Sequence, residues 1–195
     1  MMILQTHYIA QPLPCADENS CSYSLTLATR LGRMLIEIES LYGQRDKEYT
    51  FIGVEFSSNG PQNWFPRNCK NVIIQLNLNA LNDDTIACYQ LAHEAIHLLA
   101  PDGQNGAPVI EEGLATVYSE DFVQREFNTT NLTGRLSYID AAQKVRELIS
   151  IDTDAIKKLR NIEPSFKEMT AATFNLAGLN LPQDTIDCLL TRFVR

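Results

Sequence analysis

Residues 71–99 read NVIIQLNLNALNDDTIACYQLAHEAIHLL, and a change of rhythm inside this stretch decides the fold. From Asn71 to Asn79 the period is two. Val72, Ile74, Leu76 and Leu78 alternate with Asn71, Ile73, Gln75, Asn77 and Asn79, which predicts a strand with one apolar face and one mostly amide face, packed on one side only. Asn82-Asp83-Asp84 then offers N-caps. A helical period follows and runs to Leu99, where Pro101 stops it.

The helix divides by angle. At 100° per residue with His93 at zero, His97 falls at 40°, Gln90 at 60° and Glu94 at 100°. Leu98, Leu91, Ala95, Cys88, Leu99 and Ala92 fill the opposite arc, an apolar back for a core. Cys88 therefore reads as a small core residue. The front carries two of the chain's three histidines. Imidazoles four residues apart lie one turn from each other on the same face, so both can hold one metal ion with the intervening Glu94 beside it as a general base.

Outward from this segment, Leu27, Leu31, Met34, Leu35, Ile38 and Leu41 recur at helical spacing between Ser22 and Tyr42, with Gly43 as C-cap. Thr50–Phe56 is β-rich and ends in the turn cluster 57–61. Trp64-Phe65-Pro66 reads as a loop pinned to the core. After the Gly/Asn loop 102–107, Pro108 suits the first turn of a helix reaching about Phe127. Helices are expected at roughly 137–150, 153–161, 165–177 and 183–193. Residues 1–19 look irregular. The fold class is α+β: a small mixed sheet with the motif helix, spanning 20–127, then a mainly helical part over 128–195. A single domain covers 1–195, with the site at the junction of its halves.

Composition narrows the function. The net charge of −8 argues against a nucleic-acid partner, which calls for a basic face. No stretch approaches the ~20 apolar residues of a membrane span, and Met1 to Ser20 lacks the basic start and apolar run of a signal peptide. Five cysteines, odd in number and without a Cys-x-x-Cys pair, suit a reduced cytoplasm. Cys69, in Pro66-Arg67-Asn68-Cys69, reads as a packing thiol.

A catalytic zinc takes three protein ligands and leaves one position open. The remaining histidine, His7, stands near the N-terminus, and the positions where a metzincin has its glycine and third ligand hold Ala100 and Gly103. Glu111 and Glu112 open the next helix. Around Glu112 lie Thr116, Val123, Ser119 and Ala115, mostly small residues that allow a close helix approach, whereas Glu111 sits among Leu114 and Tyr118. Glu112 is thus the expected ligand and Glu111 its neighbour. Asp102, in the loop directly after the motif helix, is a further candidate. The two glutamates also suit a helix N-terminus without any metal.

His93-Glu94-x-x-His97 followed on the next helix by Glu112-Gly113-Leu114-Ala115 resembles the gluzincin branch of zinc metallopeptidases over about residues 71–125. The resemblance implies a zincin-like fold, with Zn2+ held by His93, His97 and Glu112, Glu94 as base, and a protein or peptide substrate cleaved by an endopeptidase. Thr116 stands where thermolysin-like members have an aspartate, and a hydroxyl there can orient an imidazole. No motif that binds a substrate amino terminus is recognisable upstream. A tyrosine is expected to stabilise the oxyanion, with Tyr138 favoured over Tyr118 and Tyr89. The strand 71–79 is expected either as the sheet edge bordering the cleft, where an extended peptide adds as a strand, or as an interior strand. The alternative function is a zincin-fold regulatory or interaction protein with little peptidase activity, which has no need of the intact Glu94.

Overall fold

The computed structural model describes residues 26–66, 70–103 and 106–195. Thr26 opens the first helix, α1 (Leu27–Tyr42), by accepting the Thr29 amide on its hydroxyl, and Gly43 closes it at φ 94°. Leu27, Leu31, Met34 and Ile38 are buried from this helix, while Leu41 is left 46% exposed beside the turn at Gly43. Residues 22–25, His7 and Cys69 lie outside the described residues, as does the irregular N-terminus 1–19.

Three strands follow: β1 (Thr50–Ser57), β2 (Gln62–Trp64) and β3 (Asn71–Asn77). They form a mixed sheet in the order β1-β3-β2, with β1 parallel and β2 antiparallel to β3. The strand read from the sequence is therefore the middle one, and the edges are β1 and β2. Trp64, expected in a loop, ends β2 opposite Ile73. The apolar face of β3 is as expected, with Val72, Ile74 and Leu76 in the core. Its amide face is not simply wet. Gln75 is buried and bridges both edges, accepting from Gln62 Nε2 at 2.7 Å and donating to Glu55 at 2.6 Å. The strand stops at Asn77 because the Asn77 side chain accepts the Asn79 amide and turns the chain into a 3-10 turn, Leu78–Asn82. Leu78 is consequently 51% exposed instead of joining the core.

Asp83 caps the next helix, α2 (Asp84–His97), by accepting from Ile86 N at 2.9 Å. Its apolar back is buried as predicted: Cys88, Leu91, Ala92, Ala95, Leu98 and Leu99 are all at most 3% exposed. Burial pushes the Cys88 thiol up to about 11, which keeps it an inert core group. The following helix, α3 (Val109–Phe127), starts at Pro108 and packs along α2. The last four are α4 (Leu136–Ile151), α5 (Ala155–Ile162), α6 (Ala171–Leu176) and α7 (Gln183–Leu190). Among the described residues no helix is long and apolar enough to cross a membrane.

Two of these are shorter than their periodicity predicts. Thr170 and Thr173 form a reciprocal capping box, so α6 begins at Ala171 and 165–170 are turns whose Phe166 and Met169 still reach the core. Residues 191–193 are extended, not helical. Thr191 returns its hydroxyl to Asp187 O, and the backbone beyond finds partners across the chain: Val109 N donates to Thr191 O and Phe193 N to Ala107 O. This antiparallel bridge lays the C-terminal segment beside the start of α3.

Gly113 lets α3 and α4 meet closely. A Cβ there would fall against the Ala141 carbonyl and 2.7 Å from a Val145 methyl, so only glycine fits without a shift. The close approach is what carries Tyr138, on the first turn of α4, toward the face of α2.

Candidate metal centre

The front of α2 and the first turn of α3 face each other. Nε2 of His93 lies 3.2 Å from Oε2 of Glu112, and Nε2 of His97 lies 4.0 Å from the same oxygen. One ligand atom from each of His93, His97 and Glu112 falls within 4.8 Å of the others, the group of three among the described residues able to hold a metal ion. Three tetrahedral ligands at ordinary zinc distances stand roughly 3.4 Å apart, so these side chains need only small adjustments to close on one ion. Two imidazoles and a carboxylate also form a donor set of the type zinc takes in catalytic sites.

Glu111, read as a neighbour, has a definite partner. Nδ1 of His97 donates to Oε1 of Glu111 at 2.7 Å, with both side chains largely buried. That bond leaves the other ring nitrogen, Nε2, turned toward His93 and Glu112. The carboxylate orienting an imidazole thus comes from Glu111 and not from the position of Thr116. Thr116 points its hydroxyl back to Glu112 O at 2.8 Å, and Ser119 likewise to Thr116 O. Angular reading placed Glu111 off the ligand direction; only the arrival of α2 beside it shows what it binds. His93 has no such anchor: its Nδ1 makes no hydrogen bond among the described residues, and its ring meets the edge of Tyr138 at 5.7 Å between centroids.

The remaining expected residues sort by location. Asp102 pairs with Lys167 at 2.5 Å and is not among the three converging groups. Gln90, between the histidines by angle, is committed to the sheet: its Oε1 accepts from Asn77 N at 2.8 Å. Tyr118 donates to Glu37 at 2.9 Å, away from the centre. Tyr89 lines the same cavity as His93 but spends its hydroxyl on Thr133. Tyr138 lines that cavity too, and its hydroxyl has no partner among the described residues. Burial and the Glu112 charge lift it to about 12, so it keeps its proton at neutral pH and can donate.

Glu94 is 4% exposed and lines the cavities on both sides of the centre. Burial pushes its carboxyl upward, against the pull of both imidazoles. Burial opposes the charged forms of the other groups as well, yet their mutual pairing prevails. His97 rises to about 10 through the Glu111 hydrogen bond and the charges of Glu111, Glu112 and Glu94, and Glu112 falls to about 2 through His93 and His97. This pairing favours the protonated His97 imidazole and the ionised Glu112 carboxylate.

Sequence reasoning missed Asn63. It sits on β2, the edge strand on the cleft side, donates its Nδ2 to the Glu94 carbonyl at 3.2 Å, and leaves a buried Oδ1 without a hydrogen-bond partner. The three-residue strand was too short for its alternation to register. Phe65 lines the cleft and packs on Tyr49 at 5.4 Å, while Trp64 is 44% exposed.

No protein-family model matches this chain, and comparisons with curated proteins and with solved structures yield no match either.

Proposed function

We propose that this chain is a zinc-dependent metallopeptidase of gluzincin type, hydrolysing peptide bonds within a polypeptide. The convergence of His93, His97 and Glu112 on one point, with Glu94 beside them, is the observation that carries the reading.

His93, His97 and Glu112 would hold the zinc, which would supply Lewis acidity and make water a stronger acid at neutral pH. Glu94 takes the proton from the attacking water and hands it to the departing amine. Its position at the meeting of the two cavities beside His93 and His97 suits it to both steps. Tyr138, protonated and unpartnered, donates to the oxygen on which negative charge develops. Glu111 keeps His97 in the tautomer that offers Nε2.

The test is metal analysis of the purified protein together with a Glu94→Gln variant assayed on a broad peptide mixture. Stoichiometric zinc in both, with cleavage only by the wild type, is the expected result. Absence of zinc, or equal cleavage by Glu94→Gln, overturns the reading.

A further inference from the structure

Two cavities meet at Glu94, and Arg195 lines both. The one beside His97 also carries the carboxylates of Asp102, Glu111 and Glu112, which engage Lys167, His97 and His93 respectively. The one beside His93 has a volume of about 420 Å³. Apart from His93 and Glu94, its charged walls are Arg135 and Arg195. Neither guanidinium has an ion-pair or hydrogen-bond partner among the described residues. What distinguishes these two arginines is their place: they stand together at one cavity beside His93, Glu94 and Tyr138, where Glu94 is the single carboxylate side chain among the lining residues.

Their placement is built by the fold. Arg135 immediately precedes α4, three residues before Tyr138. Arg195 is carried in by the extended segment that bridges to residues 107–109. Both arginines line the same cavity as His93, Glu94 and Tyr138.

The geometry points to a carboxylate-recognising subsite on the His93 side: a peptide substrate presents a carboxylate to Arg135 and Arg195 beside the bond held at Glu94. The carboxylate is either an acidic side chain flanking the scissile bond or the peptide's own C-terminus, since a guanidinium pairs equally with both. This specificity rests on the peptidase reading above, with the same centre as the point of reaction.

The experiment uses matched peptides differing only in Glu or Gln at successive positions, each with a free or an amidated C-terminus. Cleavage is followed with the wild type, and binding by fluorescence anisotropy with Glu94→Gln. Two charge-assisted contacts at an exposed lip should favour a carboxylate about tenfold in affinity and in kcat/KM, less at high salt. An Arg135→Gln/Arg195→Gln double variant, checked for folding by its melting curve, should bring that ratio close to one. Loss of preference on Glu→Gln exchange assigns the subsite to an acidic side chain; loss on amidation assigns it to the C-terminus. Cleavage with no carboxylate preference, or a preference untouched in the double variant, overturns the inference and leaves the peptidase reading standing. Carboxylate-selective binding through the arginines without cleavage of any peptide overturns the peptidase reading instead.

Discussion

The two flanks of the centre are built on opposite principles. On the His97 flank the carboxylates and the imidazole are answered from within the protein, while Asn63 Oδ1 and Arg195 border it without a partner among the described residues. Glu111 takes the imidazole, Lys167 takes Asp102, and Arg160, 4% exposed, donates to the carbonyls of Tyr42, Gly43, Gln44, Leu99 and Pro164. On the His93 flank the imidazole meets Glu112 and a ring edge, while Tyr138, Arg135 and Arg195 keep their donors free. Paired groups hold a geometry, whereas unspent donors are left for an outside partner. Under the proposed function, that difference divides ligand placement from substrate reading within one short cleft.

The division breaks hardest at Arg160. Its guanidinium gathers carbonyls beyond the C-terminal ends of α1 and α2, and burial lowers its pKa to about 10 while it remains charged at neutral pH. Arg160→Met would leave those buried acceptors bare. We expect a loss of roughly 3–5 kcal/mol in a denaturant titration, since each unsatisfied buried acceptor costs about 1–3 kcal/mol and partial solvation recovers some of it. Gly113→Ala strikes the other flank. Overpacking between α3 and α4 should cost about 1–3 kcal/mol and push Tyr138 away from His93, lowering kcat more than zinc content. An unchanged melting temperature would contradict the close packing assigned to that glycine.

A smaller pair of substitutions sharpens the contrast. Glu111→Gln should weaken zinc binding by about 10–100-fold in a chelator competition, because the hydrogen bond orienting His97 becomes neutral. Tyr138→Phe should leave zinc affinity where it was and reduce turnover. If the two variants exchanged these effects, the assignment of holding to one flank and chemistry to the other would fail.

A further contrast is a pH signature of the metal-free protein. His97 is raised from 6.5 to about 10, so the folded chain binds that proton more tightly than the unfolded one. This stabilisation is complete below pH 6.5 and is lost as the pH climbs toward 10. Glu112 is lowered from 4.5 to about 2; its share is complete above pH 4.5 and is lost as the pH falls toward 2. Melting temperature of the metal-free form should therefore decline on the basic side, with a flatter decline in Glu111→Gln. Zinc affinity should rise with pH over the same basic range, because the metal must displace the proton. A basic limb identical in wild type and Glu111→Gln would dissociate His97 from Glu111.

By itself the sequence determined the elements whose information is local. Period two over β3, period 3.6 over α1, α2 and α3, and the caps at Asp83 and Gly43 all depend on neighbours within one or two turns. The same locality made His93, Glu94 and His97 legible, since a single helix presents all three. Glu112 was within reach because α3 starts close after α2. What depended on segments far apart in the chain only the tertiary structure decided. That Glu111 grips His97, that β3 is flanked by a three-residue β2 bearing Asn63, and that 191–195 leaves the helix to bring Arg195 to the centre are outcomes of packing between distant elements. No local period encodes them, because the partner that satisfies each backbone or side chain lies between 14 and about 100 residues away.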